Sequence, residues 1–475
     1  MASADPEPVP LDALAGHAAA VHIAVIGGGV AGLVAALECA KVGTRVTVFE
    51  ASDQLGGAAR TVELDGLPVD MGADSLTPAL DDRLRDLGLG DALGVPETET
   101  RWVAGVPGVD AAPLPDDTVL GIPENMFSDA SRRILGTGGA WRAYMDRLRP
   151  PLTIGHEQDL AKLVRTRMGQ KVLDRLVAPL TAGVFGTTPD RIDVDLAAPG
   201  LNAALTRTGS LSGAVAAVRS DESGVRGLVG GMARLVDALA QRLALLEVEV
   251  RTQAAVTSIE RSGDEWVVSV DAPEATDAAT TFDAVIVACD ESAARRLLAP
   301  VVTDLDAAAQ TAAEIETVAL VVDAPALDNR PRGAEIVTVP GSHRARSALH
   351  LTAKWGWLAH RAGVGRHVIR VSFDATLTAE LNDDELIALA CDEASTLFGT
   401  TVDPGAVRAS WRTRLSVTPP RAVRGQVDAA ARVRRAVEAV PHLAATGAWL
   451  SGSGLAQVAP DAAAAADRLR RSMLF

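Results

Sequence analysis

Residues 21–26, Val-His-Ile-Ala-Val-Ile, run directly into Gly27-Gly28-Gly29-Val30-Ala31-Gly32. An apolar, β-branched run meeting G-x-G-x-x-G predicts a buried parallel strand and a tight turn. Leu33 to Ala40 continues as a helix that Gly43 ends. Thr44 to Phe49 reads as a second strand, closed by Glu50. Such a unit commits this part of the chain to a doubly wound α/β domain that binds a dinucleotide. Gly27, Gly29 and Gly32 permit the turn, the approach of a pyrophosphate, and helix packing on the strand. Gly28, Val30 and Ala31 share that turn, where the helix start offers N–H groups and partial positive charge to phosphate. Glu50 is placed to accept hydrogen bonds from ribose hydroxyls. Val21 to Ala40 is long and apolar enough to suggest a membrane span, but the strand, glycine turn and helix account for it.

The chain's 475 residues allow about two to three domain-sized units. Its 48% hydrophobic and 22% charged residues exclude general disorder, collagen-like repeats and a multi-pass membrane protein. A net charge of −16 opposes nucleic acid and anionic lipid unless basic residues are locally concentrated. Cys39, Cys289 and Cys391 fit neither a metal knuckle nor a disulfide framework, which points to a reducing cytoplasm. Residues 1–20 contain no Lys or Arg, so neither a secretory signal nor a transit peptide fits, and a disordered leader is expected there.

A second motif follows the ribose acid. Glu50-Ala51 is followed by Gly56-Gly57-Ala58-Ala59-Arg60-Thr61, then Asp65-Gly66 through Asp70-Met71-Gly72-Ala73-Asp74-Ser75. Physically, the second glycine pair lets backbone approach the pyrophosphate and ring from another side, and Arg60 can neutralise phosphate charge. The run E-A-x-x-x-x-G-G-x-x-R-T resembles the FAD-binding region of the amine oxidase and protoporphyrinogen oxidase superfamily. No second G-x-G-x-x-G opens a strand–helix pair, which favours an oxidase over a reductase that draws hydride from a nicotinamide.

Further segments narrow the resemblance to the protoporphyrinogen/coproporphyrinogen oxidase family. They are Pro113-Leu114-Pro115, Gly121-Ile122-Pro123, Arg167-Met168-Gly169, the run Leu176 to Gly186, Gly230-Gly231-Met232, Ala348 to Trp355, and Ile369 to Ser372. The acidic character is similar to the Gram-positive coproporphyrinogen oxidase branch. The resemblance implies an α/β protein, α+β overall: a Rossmann-like FAD-binding domain, a discontinuous substrate β-sheet domain and a helical domain. The boundaries expected are a leader over 1–20, FAD-domain parts over 21–80, 225–301 and 439–475, a mainly helical domain over 81–205, a linker over 206–224 and a substrate domain over 302–438.

The chemistry it implies is hydride removal from a porphyrinogen by the flavin, most simply coproporphyrinogen III to coproporphyrin III, with oxygen becoming hydrogen peroxide. No catalytic dyad or metal is required. A transient contact with a heme-pathway chelatase belongs to the same picture. Carried over by position, FAD would meet Gly27 to Gly32, Glu50, Ala51, Gly56, Gly57, Ala58, Arg60, Thr61, Gly72, Ala73, Asp74 and Ser75. Val256 would touch adenine, and Gly447, Gly454 and Leu455 would border the flavin end. A substrate with four carboxylates calls for basic side chains, and Lys354, Arg370, Arg207, Arg346 and His350 are the candidates.

The chain departs from the family pattern at Gln54 and Ala58, where basic residues are usual. It departs again at Leu415, Ala422 and Gln426, where the family has Trp, Tyr and His. A flavin amine oxidase, a carotenoid desaturase and a non-catalytic flavin- or porphyrin-binding partner are the competing readings. The single tyrosine, Tyr144, weighs against an aromatic amine cage.

Overall fold

The computed structural model describes residues 11–149, 157–219, 224–271, 279–306, 313–418 and 420–474. Five parallel strands form one sheet, in the order Glu249–Arg251, Arg45–Phe49, His22–Ile26, Ala284–Val287 and Leu443–Ala445. Ala24, on the central strand, pairs with Thr47 on one side and Val285 on the other. The strand order reverses at His22–Ile26, and in such sheets a ligand crevice opens beyond the carboxyl ends of the strands. The helix Val30–Ala40 packs against the helices Ala233–Leu245 and Leu455–Leu474. That cover explains its apolar residues: Leu33, Ala35, Ala36 and Cys39 are all fully buried. Among the described residues no helix is long and apolar enough to cross a membrane.

A second sheet has seven strands, in the order Val407–Val417, Ala313–Asp323, Arg366–Asp374, Ala345–His350, Glu335–Thr338, Arg101–Val106 and Val109–Pro113. All its pairs are antiparallel except Glu335–Thr338 against Arg101–Val106. A smaller antiparallel sheet, Ala255–Ser262, Glu265–Asp271 and Ala279–Phe282, adjoins the nucleotide side. A helical layer that includes Asp129–Tyr144, Leu160–Arg167, Leu201–Thr208 and Leu211–Val218 encloses its own core around Ile134, Leu163, Leu176 and Leu205.

Three expectations from the sequence need correction. Residues 11–20 form a helix, not a disordered leader; Ala18 is buried, and His17 Nε2 lies 3.0 Å from the Met473 carbonyl. Residues 1–10 of that leader, and 220–223 of the expected linker, lie outside the described residues. The stretch 101–113, expected within the helical domain, supplies two strands to the seven-stranded sheet, because Glu335–Thr338 offers a free edge to Arg101–Val106. The helix Gln426–Glu438, expected in the substrate domain, buries Ala430, Val433 and Val437 in the nucleotide-side core with Val285 and Leu443. Within the helical layer, Gly169 adopts φ +99° after the helix Leu160–Arg167, and Leu173–Val177 is a π-helical turn.

Candidate functional site

A cavity of about 530 Å³ opens where the carboxyl ends of the parallel strands meet the edge of the seven-stranded sheet. Its floor is the glycine turn. Gly27 leaves the central strand at φ +112°, with its N–H donated to the Phe49 carbonyl at 2.8 Å. The helix that follows has no side-chain cap at Gly29 and no acid in its first turn. The N–H groups of Val30 and Ala31 therefore have no intrahelical partner, and both residues line the cavity. Glu50 is pre-oriented at the end of the second strand. Its Oε2 accepts the Gly28 N–H at 2.7 Å, and its Oε1 accepts the Ser52 N–H at 2.9 Å and hydroxyl at 2.7 Å. A carboxylate held this way still has lone pairs for ribose hydroxyls.

The second glycine pair closes over the first. Gly56 donates to the Gly28 carbonyl at 2.9 Å, and Gly56 and Gly29 form a parallel bridge. Gly57 sits at φ +56°, inside the cavity wall. Of the positions expected at the cofactor, Gly27, Gly29, Val30, Ala31, Glu50, Ala51, Gly56, Gly57, Ala58, Ala73, Val256, Gly447 and Leu455 come together around this cavity.

Other expected positions stand behind the wall. Gly28 is turned toward Glu50, and Gly32 packs on the Gly27 carbonyl. Gly72 packs against the Ala58 carbonyl, and Gly454 lies between the wall residues Ser453 and Leu455. Ser75 follows Asp74 outside the wall. Arg60 contacts the Ser52 hydroxyl at 2.9 Å and Asp53 at 3.3 Å, outside the cavity lining. Thr61 instead donates to Asp70 Oδ1 at 2.5 Å and accepts the Ala233 N–H.

The expected substrate cations are dispersed. Lys354 Nζ pairs with Asp74 Oδ2 at 2.5 Å, and Arg370 donates to the Asp70 carbonyl at 2.5 Å and stands 3.6 Å from Asp74 Oδ1. Arg346 spans Asp374 at 2.6 Å and the Ala182 carbonyl at 2.8 Å. Arg207 is exposed on the helix Leu201–Thr208. His350 is buried in a separate cluster, with Nε2 3.0 Å from His367 Nδ1. Burial, with His367 beside it, drops its pKa to about 3, so it is neutral at neutral pH. None of the five lines the cavity.

Asp70 and Asp74 are buried neighbours with opposite titrations. Burial alone would push Asp74 up, but Lys354 and Arg370 outweigh it and hold the carboxyl below its ordinary range. Burial, with repulsion from Asp74, raises Asp70 from an ordinary 3.8 to about 6. A raised folded pKa means that stability is full below pH 4 and declines as pH rises through about 6. Both bonds to Asp70, from the Thr61 hydroxyl and the Met232 N–H at 2.8 Å, fall on Oδ1, which Asn retains. Asp70→Asn is therefore expected to remove that part of the decline. Melting curves of both proteins from pH 4 to 7 check this, and parallel pH profiles would refute it.

Sequence reasoning missed the rest of the wall, apart from Leu415: Cys289, Asp290, Ala293 and Arg296 on one side, and Arg414, Ser416 and Thr418 beside Leu415 on the other. The buried strand Ala284–Val287 leading into Asp290 was the available signal, since Asp290 caps the helix Glu291–Leu298. Burial, with Asp290 adding, pushes the Cys289 thiol up to about 12 and keeps it neutral. Arg414 is 45% exposed and donates to the buried Glu316 at 3.0 Å. Arg412 chelates the same carboxylate at 2.9 Å, and chiefly through that contact Glu316 falls to about 2. Of the family departures, Ala58 and Leu415 lie in the wall, whereas the Gln54 side chain is exposed outside it. The Ala422 carbonyl accepts the Asp193 N–H, and Gln426 Nε2 donates to the carbonyl of the wall residue Trp449 at 3.0 Å.

The chain is 30% identical to the coproporphyrinogen III oxidase of Mycobacterium tuberculosis over 449 residues, covering 91% of this chain and 93% of that protein. It is 26% identical to the coproporphyrinogen III oxidase of Bacillus subtilis, covering 91% and 94%. A crystal structure of a candidate protoporphyrinogen oxidase from Exiguobacterium sp. 255-15 superposes with a TM-score of 0.82 at 22% identity, covering 95% of this chain and 99% of that one. Putrescine oxidase shares the fold at a TM-score of 0.65 and 16% identity. The profile of flavin containing amine oxidoreductases matches residues 30–469, and the chain belongs to that family.

Proposed function

We propose that this protein is an FAD-dependent oxidase that converts coproporphyrinogen III to coproporphyrin III, with oxygen as acceptor. The end-to-end similarity to coproporphyrinogen III oxidases is the observation that carries this reading. The cavity suits FAD by its donor set: free N–H groups at Val30 and Ala31, an anchored ribose acid at Glu50, and glycine walls that admit close approach. Held by Val30, Ala31, Glu50 and the glycine walls, FAD would supply two-electron oxidation, and the six-electron conversion of a porphyrinogen to a porphyrin would yield three molecules of hydrogen peroxide.

This chain's residues supply placement and exclusion of water. Phe49, Val256, Leu415 and Trp449 give the cavity apolar walls. Arg414, fixed on Glu316, offers a positive charge at that wall to a substrate carboxylate. Tyr144 stacks with Phe127 and Trp141 in the helical layer and does not line the cavity, so it forms no amine cage there.

The test is aerobic turnover by FAD-loaded protein, read as porphyrin fluorescence and peroxide, with a control for autoxidation. Acceleration with coproporphyrinogen III above protoporphyrinogen IX is expected, with three peroxides per porphyrin. Bound FAD without acceleration on either would overturn the oxidase reading.

A further inference from the structure

We propose that Arg296 clamps the pyrophosphate of the cofactor from the helix that rises beside the glycine turn. The inference rests on the FAD reading above. A phosphoanhydride brings two negative charges into a cavity whose wall already holds Glu50 and Asp290. Both carboxylates are committed to backbone N–H groups, Glu50 to Gly28 and Ser52, and Asp290 to Ala293 at 3.1 Å. The uncapped helix start contributes roughly half a positive charge. The nearby loop adds none: Gln54 and Ala58 are uncharged, and Arg60 is spent on Ser52 and Asp53. Arg296 and Arg414 are the cations of the described wall, and Arg414 already faces Glu316.

The local structure singles out Arg296 from its neighbour. Arg295 is buried, pairs with Glu291 at 2.7 Å and lies over the Trp449 ring at 5.6 Å. Arg296 is exposed on the cavity side of the same helix, with no ion-pair partner among the described residues. The turn that launches this helix sits on the glycine turn itself. Ala288 donates to the Ile26 carbonyl at 2.8 Å, and a Cβ on Gly27 would stand 2.8 Å from the Ala288 oxygen. The helix carrying Arg296 thus rises beside the phosphate-facing N–H groups. A guanidinium there can meet two phosphate oxygens with parallel N–H bonds.

The test is binding to apoprotein, with FAD, ADP and adenosine titrated into wild type, Arg296→Ala and Arg296→Lys. Arg296→Ala is expected to weaken FAD and ADP alike by about ten- to a hundredfold, to leave adenosine unchanged, and to flatten the salt dependence. Arg296→Lys should restore part of the loss, since it returns the charge without the fork. FAD and ADP affinities within about twofold of wild type would overturn the clamp, because that is all a solvated surface arginine contributes. A parallel loss of adenosine binding would overturn the phosphate assignment. Wild type that binds ADP but not FAD would sink the flavin reading and leave the clamp standing; binding neither would sink both.

Discussion

Gly32→Ala is expected to weaken FAD binding about a hundredfold and to destabilise the fold by about 3 kcal/mol or more. A Cβ at this position would stand 1.8 Å from the Gly27 carbonyl oxygen and 3.0 Å from its carbon. Both are backbone atoms, so no side-chain rotation relieves the overlap. Either the helix Val30–Ala40 lifts off the central strand or the turn opens. The helix is closed in by the helices Ala233–Leu245 and Leu455–Leu474, so lifting it disturbs the largest apolar core. Opening the turn moves the Val30 and Ala31 N–H groups that face the cavity. Either path weakens FAD by on the order of a hundredfold, about 2.7 kcal/mol. Gly43→Ala is the control. It carries a backbone demand that the helical Gly32 lacks, φ +88°, but its Cβ would meet nothing within 4 Å. It is expected to lose only about 1 kcal/mol and to bind FAD normally. Thermal melts and FAD titration of both variants decide the matter. A Gly32→Ala protein that melts and binds like wild type would show that the turn yields.

The contrast between these glycines marks what a sequence can disclose. The cradle was legible because its geometry is set by neighbours along the chain: strand, turn, helix start and the acid after the second strand. Each imposes a residue type at fixed spacing. The cations were not legible, because their partners are remote. Lys354 and Asp74 are 280 positions apart, and nothing local to either shows that they meet. The lysine looked free for a substrate carboxylate when it was already bound to one of the protein's own. Arg60 has near partners instead, Ser52 and Asp53, a few positions back along the chain. Arg296 went unnoticed because the buried strand before it lies in the chain far from the glycine turn it packs on. The stretch 101–113 misled because short strands inside a helical segment carry little periodicity, and their pairing edge is supplied by residues 335–338.

Lys354→Met is expected to lower stability by about 3 kcal/mol at neutral pH, and the loss is expected to shrink in acid. Both Lys354 and Asp74 side chains are only 11% exposed. Removing the ammonium leaves a buried carboxylate with Arg370 at 3.6 Å as its remaining cation. In wild type the Asp74 pKa lies below its unfolded value, so the pair's stabilisation is present above about pH 4 and is lost as pH falls through the folded value. In the variant both contributions of Lys354 are gone while burial remains, so the carboxyl is expected to titrate higher than in wild type. Protonation then relieves the variant in the range where wild type is still ionised, so the two stability curves converge as pH falls. Asp74→Asn should rescue Lys354→Met, with a coupling of about 1–3 kcal/mol in the double-mutant cycle. Asp74 follows Ala73 of the cavity wall, and Lys354 follows the last strand residue of the substrate sheet by one short helix. The ion pair therefore ties the loop next to the cavity wall to the segment that follows the strand Ala345–His350, and FAD affinity should fall with stability. Denaturant melts at pH 5 and pH 7.5 separate this from a substrate-binding lysine. If Lys354 served only the substrate, stability would be unchanged at both values, and KM for the porphyrinogen alone would rise.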